Sequence, residues 1–280
     1  MKIFKPPYND YIICAIIHLI KNKCEELIMD LNKLLNISTL AGKIMLESGA
    51  ETYRVEETIV RIGFSFGVDE AESFVTPTGI IASLTQDSRT VTLVRRITSR
   101  GVDLNKIDLI NNLSRQVQTQ SMTLDELNTE LLNIAKCGRY SNALTLFCSS
   151  LAAGCFSIMF GGNIKDFLSA FIIGMCIKIM TNICHKLDIN DFFINSLGGG
   201  LCALLGIILT KLNICSNLDK TIIGSIMLLV PGLIITNAIR DTIAGDFLSG
   251  ITKAAEAFLV AISIAVGTGA VLSIFLNNLT

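Results

Sequence analysis

The sequence predicts an α-helical integral membrane protein, in which a five-helix transmembrane bundle follows a small α+β cytosolic domain. Mean hydropathy is +0.58, and 51% of the 280 residues are hydrophobic. Only 14 of the 47 Asp, Glu, Lys and Arg residues lie in residues 142–280. Because charged side chains are costly in hydrocarbon, this asymmetry predicts a polar domain at residues 29–140 and a transmembrane domain at residues 141–280.

The charge and the cysteines exclude several classes of protein. A net charge of −1 gives no indication of a nucleic-acid partner. The nine cysteines include no Cys-x-x-Cys pair, and with His18 and His185 they form no tight cluster of zinc ligands. We therefore predict no metal and no cofactor, and we interpret the cysteines as small apolar side chains. Their odd number argues against a secreted disulfide scaffold.

Residues 1–28 form an N-terminal extension that does not fit either domain. The apolar run at residues 11–20 follows Lys2 and Lys5 and is too short to span a bilayer as a helix. Three interpretations stay open: translated sequence upstream of the true start, an interfacial helix, or a cleaved signal peptide. Met29 begins a sequence typical of a cytosolic start.

Residues 30–66 show the spacing of two helices, since apolar residues recur every three or four positions. Ser48 and Glu51 have the spacing of a capping box, and Gly49 suits a break between the helices. Five charged residues lie within positions 47–57: Glu47, Glu51, Arg54, Glu56 and Glu57. We interpret them as a solvated helix face, and an acid/base site is the alternative.

In the rest of the polar domain, strands come first and helices follow. Strands are predicted within residues 72–97, with turns at 77–79 and 87–89. Helices are predicted over residues 103–118 and 123–136, where Asp103 and Thr123 are suitable N-caps. These elements predict a compact α+β domain of about 110 residues.

Five apolar stretches follow, each close to the length that crosses hydrocarbon. They lie at about 142–160, 166–184, 192–210, 219–239 and 254–276. Short connections predict that they pack as a bundle, and the small residues Gly199 and Ala203 favour close helix approach.

A polar N-terminal domain without a convincing export signal is expected to stay in the cytoplasm. The connections at 185–191 and 240–253 are then cytoplasmic too. Positive residues show a weak bias towards this side: Lys136, Arg139, Lys186, Arg240 and Lys253 lie inside, against Lys165, Lys211 and Lys220 outside.

The predicted fourth span contains Pro231 and Gly232 near its centre. Proline has no N–H and clashes with the carbonyl of Met227, and glycine adds backbone freedom. A carbonyl freed in this way needs a partner or a wet cavity, and transporters use such broken helices to bind substrates near the bilayer midplane. A simple structural kink is the alternative interpretation.

Polar residues continue from this break. Asn237 and Asp241 are spaced i,i+4 and share one helix face. Thr236 and Arg240 have the same spacing. We interpret Asp241 as a candidate proton or substrate contact and Arg240 as a candidate partner for a carboxylate. Asp246 follows one turn later. An ordinary water-exposed loop at Arg240, Asp241 and Asp246 is the alternative.

Two further ionisable residues lie within predicted spans. Lys178, in the second span, either extends to the cytoplasmic interface or faces the proposed substrate pathway within the bundle. Glu256 lies near the cytoplasmic end of the fifth span and is a weaker candidate proton carrier.

Several segments together resemble the threonine/serine exporter family. In the front half these are AGKIMLESGAETYRVEETIVRIG at 41–63, FVTPTGIIAS at 74–83 and VDLNKIDLINNLSRQV at 102–117. In the back half the segment is LVPGLIITNAIRDTIAGDFLSGITKAAEAF at 229–258. The resemblance covers about residues 30–276 and begins near Met29, which favours the interpretation of residues 1–28 as translated sequence upstream of the true start.

The resemblance implies proton-driven export of threonine and serine, or of a small dicarboxylate such as succinate. Family members are single chains of about ten spans, or are split into a chain of this kind and a small integral membrane partner, and the split form is implied here. A higher oligomer stays open. The positions that match the signature are Pro231, Gly232, Asn237, Asp241, Gly245, Asp246 and Gly250.

Two other classes of function are alternatives to export. A membrane-anchored enzyme would place its site in residues 30–140, but the sequence contains no GxSxG, HExxH, P-loop or dinucleotide motif. A membrane scaffold or sensor would signal through its polar domain without transport. Export explains the broken span best.

Overall fold

The computed structural model describes residues 30–120, 122–138 and 140–276. The N-terminal extension at residues 1–28 and the flanking Arg139 lie outside these residues. The chain forms two compact units. Of the described residues, the first unit contains those within 30–48, 54–100 and 104–135, and the second contains those within 49–53, 101–103 and 136–276.

The first unit combines helices with a small sheet. Its helices are α1 (Leu31–Glu47), α2 (Thr52–Ser65), α3 (Leu104–Thr119) and α4 (Leu124–Lys136), and its strands are β1 (Glu70–Thr76), β2 (Gly79–Gln86) and β3 (Arg89–Arg96). The strands form an antiparallel meander in the order β1-β2-β3, and α1 packs on β2, β3 and α3. The fully buried Leu34 and Ile80 belong to this core.

The turns and one cap of this unit lie where the sequence predicts them. Asp87 and Ser88 have φ of 49° and 62°, which suits the two-residue hairpin between β2 and β3. Thr123 and Glu126 form a reciprocal capping box at the start of α4. The backbone N–H of Thr123, followed by its hydroxyl, holds the pKa of the Glu126 carboxyl below its usual range.

Two local predictions are wrong at the junction of α1 and α2. Ser48 is the C-cap of α1, and α2 begins only at Thr52, so the predicted capping box does not form. Glu51 has only 7% of its surface exposed, so it does not belong to a solvated face. Gly49 does provide the break: its φ is +88°, and a Cβ there would lie 2.8 Å from the carbonyl oxygen of Gly101.

The second unit contains six further helices: α5 (Asn142–Met159), α6 (Ile164–Lys186), α7 (Asp191–Lys211), α8 (Leu218–Ile226), α9 (Gly232–Ala244) and α10 (Phe247–Leu276). Within the described residues, four of these are long and apolar enough to cross a membrane, namely α5, α6, α7 and α10. The predicted fourth span is two short helices, α8 and α9, because the backbone breaks before Pro231.

The short helices have different neighbours. α8 packs among α5, α6 and α7, whereas α9 packs on α10. α10 in turn lies along α7, and a Cβ at Gly199 would come within 2.5 Å of the carbonyl oxygen of Ile264. The glycine therefore permits the close helix approach that the sequence predicted.

A buried carboxylate fixes the loop that leads into α8. Asp166, near the start of α6, accepts hydrogen bonds from the backbone N–H groups of Asn163, Ser216 and Asn217 at 2.9, 2.8 and 2.7 Å. Its side chain is fully buried. These bonds satisfy loop donors that would otherwise be buried without partners, and they hold α8 in the bundle.

Candidate functional site

The site begins at the break between α8 and α9. Pro231 has no N–H, so it cannot donate to the carbonyl of Met227. The N–H of Gly232 donates to Val230 at 2.9 Å, so the carbonyl of Leu228 also loses its usual helical donor. The break is thus more than a bend in one continuous helix, since α8 ends at Ile226 and α9 begins at Gly232.

A polar cavity of about 180 Å³ lies beside this break. Lys178 on α6 is half-buried and lines it. Leu228 and Leu229, from the broken segment, form part of the same wall. Both sequence interpretations of Lys178, extension to the cytoplasmic interface and a position facing the substrate pathway, stay predictions.

Asp241 on α9 is at the centre of a second polar cluster. Its side chain is fully buried and pairs with the almost fully buried Lys253 of α10, with Oδ2 and Nζ 2.7 Å apart. Its Oδ1 accepts a hydrogen bond of 3.1 Å from the backbone N–H of Thr52. The N–H of Thr52, at the first position of a helix, has no acceptor within that helix, so Asp241 satisfies this donor.

Two neighbours of Asp241 on α9 contact the segment at residues 49–52, to which Thr52 belongs. The side-chain amide of Asn237 donates to the carbonyl of Gly49 at 2.9 Å. The guanidinium of Arg240 pairs with the Glu51 carboxylate, with Nη1 and Oε1 2.5 Å apart. Arg240 is 53% exposed and Glu51 10%, so this pair lies at the rim of the cluster. One turn of α9 therefore holds residues 49–52 through three side chains.

The end of α9 is shaped by backbone conformation. Gly245 ends the helix at φ 99°, a conformation that favours glycine. The N–H of Asp246 then donates to the carbonyl of Asp241 at 2.8 Å, and the Asp246 carboxylate lies 3.5 Å from the Thr52 hydroxyl. Gly250 allows α10 to approach α9 closely, since a Cβ there would lie 3.0 Å from the carbonyl oxygen of Ala238.

The structure therefore brings four predicted residues together: Asn237, Arg240, Asp241 and Asp246. Lys178 belongs to the cavity beside the break. Glu256 is half-buried on α10, about one turn after Lys253. The roles assigned to these residues stay predictions.

Sequence reasoning missed four members of the cluster: Gly49, Glu51, Thr52 and Lys253. The sequence marks Lys253 only as a positive flank of the last span. A lysine surrounded by small and apolar residues at the start of α10 was a usable signal for a buried partner. No local signal connects Thr52 to Asp241, because these residues are 189 positions apart.

Comparisons with known proteins identify one matching family and several relatives. A family model described as "Putative threonine/serine exporter" matches residues 36–275. The "Probable succinate transporter subunit YjjP" of Klebsiella aerogenes is 22% identical over 80% of this chain and 86% of its own length. The protein of that name from Escherichia coli K12 is 22% identical over 84% and 91%.

A third relative is longer than this chain. The "Probable threonine/serine exporter" of Mycobacterium tuberculosis is 21% identical over 84% of this chain but only 45% of its own length. No solved structure matches the chain.

Proposed function

The chain belongs to the threonine/serine exporter family, and from this premise we propose that it is one subunit of a secondary transporter that exports small carboxylate-bearing metabolites. Membership of a transporter family indicates transport rather than catalysis, and the apolar helices indicate a multi-pass membrane protein. Threonine and serine are the proposed substrates. A succinate-type dicarboxylate is the second candidate, since two relatives are named as succinate transporter subunits.

The observation that carries this proposal is the broken helix followed by a buried Asp241–Lys253 pair. In hydrocarbon, an interrupted helix needs other partners for its freed backbone groups, and a wet pathway provides them. α8 has nine residues, which is about 13 Å of helix or roughly half of the hydrocarbon core. α8 and α9 together are thus long enough to form a fifth crossing that is interrupted near its middle.

Asp241 is the proposed proton carrier. When ionised, it pairs with Lys253 and caps Thr52. Protonation removes the attraction for Lys253 and weakens the bond to Thr52, so it loosens α9 from α10 and from residues 49–52. The charged groups nearby, Asp246 and the Arg240–Glu51 pair, lie at the edge of this cluster. Proton binding and pathway opening are coupled through one carboxylate.

The remaining proposals concern surroundings and partners. The polar domain and the Asp241 end of α9 lie on the cytoplasmic side of the cell membrane. A second, small integral membrane subunit completes the transporter. Two observations support this proposal: two relatives are named as subunits, and the Mycobacterium protein is longer, since the match covers only 45% of its length.

Efflux from loaded cells tests this function. Labelled threonine, serine and succinate are compared in cells that carry the chain with and without the second subunit. We expect selective efflux that requires both chains and falls when the proton gradient is collapsed. If both chains are in the membrane and none of the three substrates leaves the cell faster than background, threonine, serine and succinate are excluded as substrates and a sensor role gains support.

A further inference from the structure

The three-stranded sheet of the first unit buries only one of its faces. Along β2, the side chains of Ile80, Ala82 and Leu84 are buried, and α1 is the helix that packs on β2 and β3. Successive side chains of a strand point to opposite faces of the sheet. Ile81 therefore belongs to the second face, and it is exposed.

An apolar row crosses this exposed face. Phe74, Ile81 and Val94 lie directly opposite one another in the registers of β1 with β2 and of β2 with β3. Their exposed fractions are 52%, 46% and 68%. Because neighbouring strands lie about 4.8 Å apart, the three side chains form one continuous stripe. In a polar domain, an exposed apolar row of this kind is typical of a surface that a protein partner covers.

The edge of β1 is occupied by a helix of the same unit. The backbone N–H of Val75 donates to the Glu56 carboxylate of α2 at 2.7 Å, and the Ser73 hydroxyl donates to the Glu56 carbonyl at 3.3 Å. An extended segment that paired with β1 would have to displace these contacts. The exposed face, rather than this edge, is therefore the surface on which a partner can bind.

Two charged residues flank the apolar row at opposite corners. Glu72 on β1 is opposite Ser83, and Arg96 on β3 is opposite Gly79. Ser83 and Gly79 lie two residues to either side of Ile81 on β2, so the two charges are placed symmetrically about Ile81. Each lies about 8 Å from it, since two residues along a strand span about 6.8 Å and neighbouring strands are about 4.8 Å apart. Glu72 and Arg96 are both exposed.

We propose that this face binds the same face of a second copy of the chain, with Ile81 of each copy at a two-fold axis. An axis that lies between the two faces, perpendicular to the line from Glu72 to Arg96, places each Glu72 against Arg96 of the other copy. The contact is therefore isologous and joins opposite charges twice. The strands of the two sheets then cross at a large angle, as in orthogonal sheet packing.

A shallow depression in the face fits this arrangement. It has a volume of about 390 Å³, and Glu72, Phe74, Ile81 and Ser83 contribute to its lining. The two-fold axis places Arg96 of the other copy at this depression. Glu72 supplies the negative charge there, and Phe74 and Ile81 contact the apolar stem of the arginine.

The small size of the face determines how the association should be measured. Three strands of seven or eight residues cover roughly 300 Å², well below the roughly 800 Å² per partner of a stable complex. Two copies held in one membrane have a much higher effective concentration than two copies in solution. We therefore expect the copies to associate in the membrane and to separate readily after solubilisation.

Resonance energy transfer between full chains in one membrane tests this interface. One copy carries a donor fluorophore and the other an acceptor, and an unrelated acceptor-labelled membrane protein at the same density gives the background. We expect transfer above this background. Phe74→Asp should abolish the excess, because it places a charge in the apolar row. Glu72→Arg and Arg96→Glu should each weaken association about tenfold or more, because each reversal acts at both charge contacts.

The double variant Glu72→Arg/Arg96→Glu restores opposite charges across the two-fold axis, so it should recover wild-type transfer. Glu130→Arg is the matched control, because Glu130 is an exposed acid on α4 and its reversal should leave transfer unchanged. Thermal melts of all variants establish that they are folded. Background transfer by the wild-type chain, unchanged transfer by either single reversal, or no recovery in the double variant overturns the assignment. The readout is independent of efflux, so this result and the test of export are separate.

Discussion

Asp241→Asn tests how much the buried ion pair contributes to stability. The substitution keeps an oxygen that can accept from the Thr52 N–H, but it removes the charge that faces Lys253 at 2.7 Å. The side chains of the two residues are 0% and 6% exposed, so water cannot replace the lost partner without local opening. Breaking a buried pair in this way costs about 3–5 kcal/mol. We expect a large fall in the melting temperature of the detergent-solubilised protein.

A surface pair of equal length provides the control. Lys33 and Asp125 are also 2.7 Å apart, but their side chains are 41% and 80% exposed. Asp125→Asn should therefore cost no more than about 1 kcal/mol. The two substitutions remove the same charge and differ mainly in burial, so the difference in melting temperature measures what burial contributes.

A double-mutant cycle separates the pair from its surroundings. Lys253→Met removes the other charge, and the double variant Asp241→Asn/Lys253→Met contains neither. We expect the double variant to be more stable than Asp241→Asn alone, because no uncompensated charge is left inside the cluster. Additive losses in the cycle, or equal effects of Asp241→Asn and Asp125→Asn, would refute the reasoning.

Three further predictions follow from single contacts. Gly250→Ala should strongly destabilise the protein, because its Cβ has no room beside Ala238. Gly269→Ala is the control on the same helix. A Cβ at Gly269 would meet no atom within 4 Å, so this substitution should be neutral or stabilising in a thermal melt. Arg240→Gln should lower the melting temperature more than Glu51→Gln. The Arg240 side chain reaches water whereas Glu51 is mostly buried, so the loss of Arg240 removes this partner from a buried charge. Equal effects of the two substitutions would count against this. Pro231→Ala restores a donor at the break, so efflux should fall while thermal stability is kept or raised; unchanged efflux would show that the break is not needed.

Much of the fold could be predicted because its signals are local. Alternating residues and the Asp87–Ser88 turn predicted the hairpin, and apolar length predicted α5, α6, α7 and α10. Pro231 correctly marked the break, since the missing N–H acts within one helical turn. The i,i+4 spacing of Asn237 and Asp241 likewise predicted one shared face, and both side chains are buried.

The contacts that complete the site could not be predicted in this way. The pairing of Asn237 with Gly49 and of Asp241 with Thr52 joins segments nearly 190 positions apart, and no periodicity reports such contacts. Local spacing predicts a solvated face for Glu51, because it cannot show which face another segment covers. Asp166 was missed for the same reason, since the loop that it holds lies about 50 positions away.

The most direct test of the proposed mechanism is efflux by the double variant Asp241→Asn/Lys253→Met. This variant should fold and reach the membrane in wild-type amounts, yet it lacks the carboxylate that is proposed to carry the proton. The account predicts efflux of labelled threonine and serine near background, with no response to the proton gradient. Efflux at the wild-type rate with an intact response to the gradient would contradict it and leave Asp241 with a structural role alone.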